Sequence, residues 1–262
     1  MDDILIAAPS MSQVDQAVST VSETLKTNGF EIASTKIKKG PCVTFLGVGI
    51  SSSYITPPQI KIHRDIKTLH DTQQPVGSLQ WLRNIVLIPP EVMDPLNDLL
   101  KGKNSWEKKT LTPEATRLLD FIEQQISVSK LTRWDAGAPI DLYVHFTKKG
   151  GVGVLAQGAP DKAQPILWVV LGKPSYAFSP GTECLGNLIM KGRKLALKHL
   201  GAELTKIYLP FRKQLSAQST TISEHLAMDL AGFGGETRYA TKPPWTQLLA
   251  VVYIDLLPKI ID

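Results

Sequence analysis

Hydrophobic positions along the chain change their spacing twice, and the changes divide it into three stretches. Ile4, Leu5, Ile6, Ala7 and Ala8 form an apolar run ended by Pro9 and Ser10, which predicts a buried strand over residues 4–8. Val14, Val18, Val21 and Leu25 then recur at helical spacing, after a Ser12 and Asp15 pair at capping-box spacing and before Asn28-Gly29, so an amphipathic helix is expected. Residues 30–32 and 43–50 are predicted strands, separated by a basic turn carrying Lys36, Lys38 and Lys39. After Pro57-Pro58 the pattern becomes helical, over about residues 71–86, 91–100 and 112–127. The last is the clearest, with Thr112 as N-cap, Pro113 at the first helical position and one stripe of Ala115, Leu118, Leu119, Ile122 and Ile126. Beyond Asp135-Ala136-Gly137 the period returns to two. Ile140, Leu142, Val144 and Phe146 alternate with Asp141, Tyr143, His145 and Thr147, a half-buried strand, and a Lys148-Lys149-Gly150-Gly151 turn leads into a strand over 152–157. A strand (166–171), a helix (184–199), a strand (206–211), a helix (222–231) and a strand (248–254) follow, giving the order β-β-β-α-β-α-β.

Composition narrows the class. With 262 residues, 43% hydrophobic and 20% charged, the chain is globular and long enough for more than one core. Its longest apolar runs, residues 166–171 and 248–254, are less than half of the ~20 residues that a membrane helix needs, so no spanning helix is predicted. Cys42 and Cys184 make neither a metal motif nor a disulfide framework, and the acidic start lacks the basic region of a signal peptide. A reducing, intracellular setting without secretion is therefore expected. The net charge of +5 is carboxy-terminal: Lys plus Arg against Asp plus Glu is 4 to 5 over residues 1–58, 9 to 9 over 59–127 and 16 to 10 over 128–262. Either a polyanionic partner or simple solubility accounts for that excess.

Two adjacent acids, Asp2 and Asp3, precede the first predicted strand. A carboxylate pair at a strand end can hold divalent metals for phosphoryl transfer, or simply solvate a chain start. Met1-Asp2-Asp3-Ile4-Leu5 resembles the end of the Tyr-Met-Asp-Asp hairpin of retroviral reverse transcriptases, without its tyrosine. Further motifs follow in that family's order. Phe45-Leu46-Gly47 resembles the primer-grip hairpin, and Gln73, Gly77 and Trp81, at successive i+4 steps, match the thumb helix that tracks the template-primer minor groove. Leu99-Leu100-Lys101-Gly102 and Leu111-Thr112-Pro113-Glu114-Ala115 resemble the later thumb helices. The remainder, to Leu257-Pro258-Lys259-Ile260, resembles the connection subdomain, closest to that of betaretrovirus-like endogenous elements of group K. Pro75 departs from the family pattern: inside a helix it removes one backbone hydrogen bond and clashes at up to ~3 kcal/mol. Trp81 reads equally as a packed core aromatic.

The resemblance implies an α+β and α/β multidomain chain: the end of the palm with a partial sheet (residues 1–58), a helical thumb (59–127) and a ribonuclease H-like, non-catalytic connection (128–262). It implies a fragment of an RNA-directed DNA polymerase that contacts template-primer through thumb and connection. Asp2 and Asp3 would be its catalytic, metal-binding acids, with Mg²⁺ or Mn²⁺ in the full-length enzyme and none required in this chain. Without a third aspartate and the fingers, the chain alone is expected to be inactive. Phe45, Leu46, Gly47, Gln73, Gly77 and Trp81 would bind nucleic acid. Lys36 or Lys38 would be the proton donor to pyrophosphate, unless the three lysines are simply a solvated turn. The expected partner is the RNA/DNA template-primer duplex; a non-catalytic nucleic-acid-binding or scaffold role on a second polymerase subunit is the other reading. The strand and helix order after residue 128 is that of ribonuclease H, but Asp141 and Glu183 are its only acids near the right places, and Ile207-Tyr208-Leu209 supplies none, so nuclease chemistry is not expected. Lys191, Lys194 and Lys198 line one side of the 184–199 helix, as a phosphate-facing stripe or as solvated lysines. His145, His199 and His225 have no partner at ligand spacing and read as structural.

Overall fold

The computed structural model describes residues 3–83, 85–88, 90–147, 150–171, 181–210 and 220–239. The chain divides into two compact units, Met1–Ser53 and Tyr54–Asp262. No helix among the described residues is long and apolar enough to cross a membrane.

In the first unit, α1 (Met11–Thr27) starts at Ser10, whose side chain accepts a hydrogen bond from the Gln13 N–H. It ends as Asn28-Gly29 predicts. Gly29 takes φ 84°, its N–H reaches the Lys26 carbonyl, and the Phe30 N–H reaches back to Leu25, each at 3.0 Å. Val14, Val18, Val21 and Leu25 share one face, yet no α1 residue is fully buried. The strands expected at residues 4–8 and 30–32 do not form. Ile4 is 57% exposed and Phe30 62%, and an apolar run without a ladder partner has no reason to be a strand. The single strand expected over 43–50 is instead a hairpin of β1 (Cys42–Phe45) and β2 (Val48–Ser51).

The second unit opens with β3 (Tyr54–Thr56), which pairs antiparallel with β4 (Leu131–Thr132) and so ties the two ends of a helical segment together. That segment holds α2 (Leu69–Leu82), α3 (Pro90–Asp98) and α4 (Pro113–Val128) around a core that includes Val76, Leu79, Met93, Leu96, Leu119 and Ile122. Thr112 caps α4 as expected, accepting from the Ala115 N–H at 3.1 Å.

The rest is a five-stranded sheet in the order β7-β6-β5-β8-β9. Its strands are β5 (Asp141–Thr147), β6 (Gly150–Gln157), β7 (Gln164–Leu171), β8 (Lys206–Leu209) and β9 (Glu236–Tyr239). β5, β6 and β7 form an antiparallel meander, while β8 and β9 add in parallel through α5 (Gly181–Leu200) and α6 (Thr220–Asp229). This is the predicted β-β-β-α-β-α-β order with a different last strand. The one expected over residues 248–254 lies outside the described residues, as do the Lys148-Lys149 turn and residues 257–260. Leu142, Val144, Ile207 and Leu209 meet Leu185 and Leu188 of α5 on one face.

β5 is not half-buried. Asp141, Tyr143 and His145 on its other face are all buried too, because that face carries Val152, Val154, Trp168 and Tyr208 and is capped by Leu87 from the segment between α2 and α3. Tyr143 and Tyr208 stack with ring centroids 4.4 Å apart. Burial lowers the pKa of His145. Burial also raises that of Asp141, against the opposing pull of Lys206 across the parallel ladder. The unfolded chain therefore takes up a His145 proton more readily than the folded one, so this residue withdraws stability as pH falls through 6.5. Asp141 acts oppositely, withdrawing stability as pH rises above 3.8. Between pH 7 and pH 5.5, His145→Gln should remove the His145 share of the acid-side loss, so thermal unfolding across that range should show the variant's midpoint holding up better than the wild type's as pH falls.

Candidate nucleic-acid interface

α2 begins two residues earlier than its apolar pattern predicts, because Thr68 and Asp71 form a reciprocal capping box. The Thr68 hydroxyl accepts from the Asp71 N–H at 3.3 Å, and the Asp71 carboxylate accepts from the Thr68 N–H at 2.9 Å. The Thr68 hydroxyl, together with the Lys67 and Thr68 N–H groups, holds the Asp71 pKa below its usual value. The helix then runs through Pro75, which has no N–H to offer the Asp71 carbonyl. The proline ring is buried beside Val76, Leu79 and Leu82, so packing on the core face offsets the lost bond.

Gln73, Gly77 and Trp81 all fall on the opposite, exposed face. At 1.5 Å and 100° per residue they cover about 12 Å of helix length, and with His70 and Gln80, which the sequence reading passed over, they share an arc of roughly 100°. Trp81 is 48% exposed and is not a core aromatic. A Cβ added to Gly77 would meet no heavy atom within 4 Å. Among the described residues, therefore, no neighbour requires a glycine at this point in the helix.

Phe45, Leu46 and Gly47 form the tip of the β1–β2 hairpin, with Phe45 opposite Val48. Leu46 has φ 49° and Gly47 φ 81°, the signs of a two-residue type I′ turn. Leu46 is the one non-glycine residue with positive φ among those described, a conformation that costs a leucine about 1–2 kcal/mol. Its side chain is exposed.

The charged candidates separate. Lys39 pairs with Asp15 at 2.7 Å, which leaves Lys36 and Lys38 exposed and without an ion pair among the described residues. Lys191 is exposed but its ammonium is engaged: it donates to the Val170 carbonyl at 2.6 Å, and burial and Arg83 lower its pKa. Lys194 and Lys198 do face outward. Asp3 is exposed in a segment without regular secondary structure, while Asp2 lies outside the described residues. Asp141 sits on the face of β5 turned away from α5, beside Tyr143 and Tyr208, so it cannot converge with an acid on that helix. The Glu183 and His225 side chains lie outside the described residues. Among the described residues, no group of three or more His, Cys, Asp or Glu side chains could hold a metal ion.

Comparison with known proteins agrees with this architecture. Residues 57–120 match the reverse transcriptase thumb domain, and residues 149–245 match the ERVK-8-like, RNaseH-like domain. The whole chain aligns with the Gag-Pol polyprotein of avian leukosis virus subgroup A at 33% identity. The chain is similar over its whole length to a stretch of retroviral Pol. It also aligns over its full length with the Gag-Pro-Pol polyprotein of sheep pulmonary adenomatosis virus at 28% identity, and over 81% of its length with that of simian retrovirus SRV-2 at 31%. It spans 16%, 15% and 12% of these three relatives. The matches give the chain a reverse transcriptase thumb over residues 57–120 and an RNase H-like fold over residues 149–245.

The exposed line on α2 depends on the cap that sets the helix start. Thr68→Ala should destabilise the second unit by about 1 kcal/mol, which lowers the unfolding midpoint by about 2–4 °C in calorimetry.

Proposed function

We propose that this Pol segment holds the template-primer duplex as the end of the palm (residues 1–58), the thumb (59–127) and the connection (128–262). The face of α2 carrying Gln73, Gly77 and Trp81 would lie along the minor groove. Gln73 brings an amide that can donate to the groove's base and sugar acceptors, and Trp81 brings a flat apolar surface for the sugars. Phe45, Leu46 and Gly47 would hold the primer strand, with the exposed Leu46 presented by its tight turn. The observation that carries the reading is the open space around Gly77. A mid-helix glycine costs about 1 kcal/mol relative to alanine, and with no neighbour to accommodate among the described residues, the missing side chain serves the close approach of something outside the chain.

Catalysis is a separate question. In a complete active site, divalent metals held by Asp2 and Asp3 would clamp the attacking and leaving oxygens. The described donors do not make such a site: Asp3 is solvent-exposed and stands in no cluster of ligands. In this reading the segment's own role is to bind the duplex, with Lys36 or Lys38 serving as proton donor only in the assembled enzyme. Asp141 faces away from α5, which supports a supporting rather than nucleolytic role for the RNase H-like part.

Gly77→Ala separates the functional role from a structural one. It should raise the unfolding midpoint by about 2–4 °C while weakening a fluorescent primer-template duplex several-fold in an anisotropy titration. Unchanged duplex affinity would remove the minor-groove assignment. Primer extension by the chain with Mg²⁺ or Mn²⁺ should give no product; template-dependent product that vanishes in the Asp2→Asn, Asp3→Asn double variant would show that the segment polymerises unaided.

A further inference from the structure

Trp106 is 75% exposed, more than any other aromatic side chain among the described residues. It does not sit on a loose segment. The Ser105 and Glu107 carbonyls on either side of it accept the first N–H groups of α2, from His70 at 2.8 Å and Leu69 at 2.9 Å. Thr68 and Lys108 form an antiparallel bridge, and the Lys109 N–H donates to the Lys67 carbonyl at 2.9 Å. Inside the loop, the Glu107 carboxylate accepts from the Lys103 N–H at 3.0 Å and pairs with the Lys109 ammonium at 2.8 Å. The loop thus supplies acceptors to helix donors that would otherwise lack them, and the tie to α2 anchors the backbone that carries the indole.

The lysines around it are unequal. Lys101 pairs with Asp98 and Lys109 with Glu107, whereas Lys103 and Lys108 form no ion pair among the described residues. A solvated indole on an anchored loop, with two lysines unpaired among the described residues within three positions of it in sequence, offers what single-stranded nucleic acid engages: a π-face for a base and charges for the neighbouring phosphates. A duplex presents base edges in its grooves, not base faces.

We propose that Trp106 is a stacking platform for an unpaired base, with Lys103 and Lys108 on the adjoining phosphates. The inference rests on the duplex-binding reading of α2 and extends it. From its first residue to Trp81, α2 spans about 18 Å, or about five nucleotide steps at 3.4 Å, so the two tryptophans address different positions on one bound nucleic acid.

The test is anisotropy titration of the full chain with two labelled ligands, a blunt duplex and the same duplex with a single-stranded template overhang. Trp106→Ala should weaken the overhang ligand about tenfold, equivalent to about 1.4 kcal/mol and within the range of one base–aromatic stack. The same variant should change blunt-duplex binding less than about twofold. Trp106→Phe should restore most of the loss, and the unfolding midpoint should stay unchanged in both variants. Equal losses on the two ligands would overturn the stacking assignment. Unchanged overhang affinity in Trp106→Ala, with a loss in Trp81→Ala, would also overturn it, leave the duplex reading standing and turn the indole over to a protein partner. Wild-type chain that binds neither ligand would end both proposals.

Discussion

The rotation of α2 about its own axis decides two surfaces at once. Leu69, Val76, Leu79 and Leu82 must enter the core, and the same rotation places Gln73, Gly77 and Trp81 outside. A slip of one residue turns the helix by about 100° and would exchange a core leucine for a glutamine. Apolar burial alone does not fix the start of the helix; the Thr68 and Asp71 box does, together with the Ser105 and Glu107 carbonyls that receive its first donors. The cap, the loop and the core agree on one register, and that agreement lets a helix containing an internal proline hold an ordered outward face.

The sheet shows the opposite use of two faces. A surface strand alternates so that one face can stay wet, but β5 is covered on both sides and Asp141 and His145 are enclosed with it. Enclosure accounts for the depressed His145 and the raised Asp141 pKa values, since each group loses solvation of its charged form. Direction matters as much as burial. Asp141 alternates with Leu142 and Val144, which face α5, so the carboxylate points to the stacked tyrosines and not to the helix that would have to share a metal with it. An RNase H-like topology therefore persists here without gathered acids among the described residues, in line with the general rule that chemistry resides in the site and not in the fold.

Elements were legible in the sequence where local chemistry and long-range packing point the same way. α4 reads directly, because Thr112, Pro113 and its apolar stripe each predict the same start and face. The Asn28-Gly29 end of α1 reads for the same reason. Residues 4–8 and 30–32 misled because hydrophobicity is only half of a strand, and the other half, a hydrogen-bonding neighbour, is not local. β9 was missed for the converse reason: Glu236, Thr237, Arg238 and Tyr239 carry no apolar alternation and become a strand by pairing with β8. At the candidate site the i+4 spacing of Gln73, Gly77 and Trp81 was legible, whereas the side facing solvent was not. Trp81 resolves that ambiguity, since its indole lies outside while Leu79 and Leu82 on either side of it are fully buried. Trp106 left a weaker trace, a tryptophan among lysines in a glycine- and serine-bearing loop, and its significance comes from backbone bonds that no spacing encodes.

Net charge is a poor guide to which surface meets a polyanion, because many of the cations are already engaged. Lys39, Lys101, Lys109, Lys191, Arg64 and Arg193 each reach a carboxylate or carbonyl of the chain itself. The exposed line on α2 carries no lysine or arginine at all. If that line follows a groove, it does so by shape and neutral hydrogen bonding, and its share of the affinity is insensitive to salt. Lys194 and Lys198 on α5 have no such tie among the described residues, and contacts made there with phosphates release counterions and weaken as salt rises. Binding by this segment then has two physically separable parts: a neutral, shape-reading part set by α2 and an electrostatic part set by the lysines that the fold leaves facing outward.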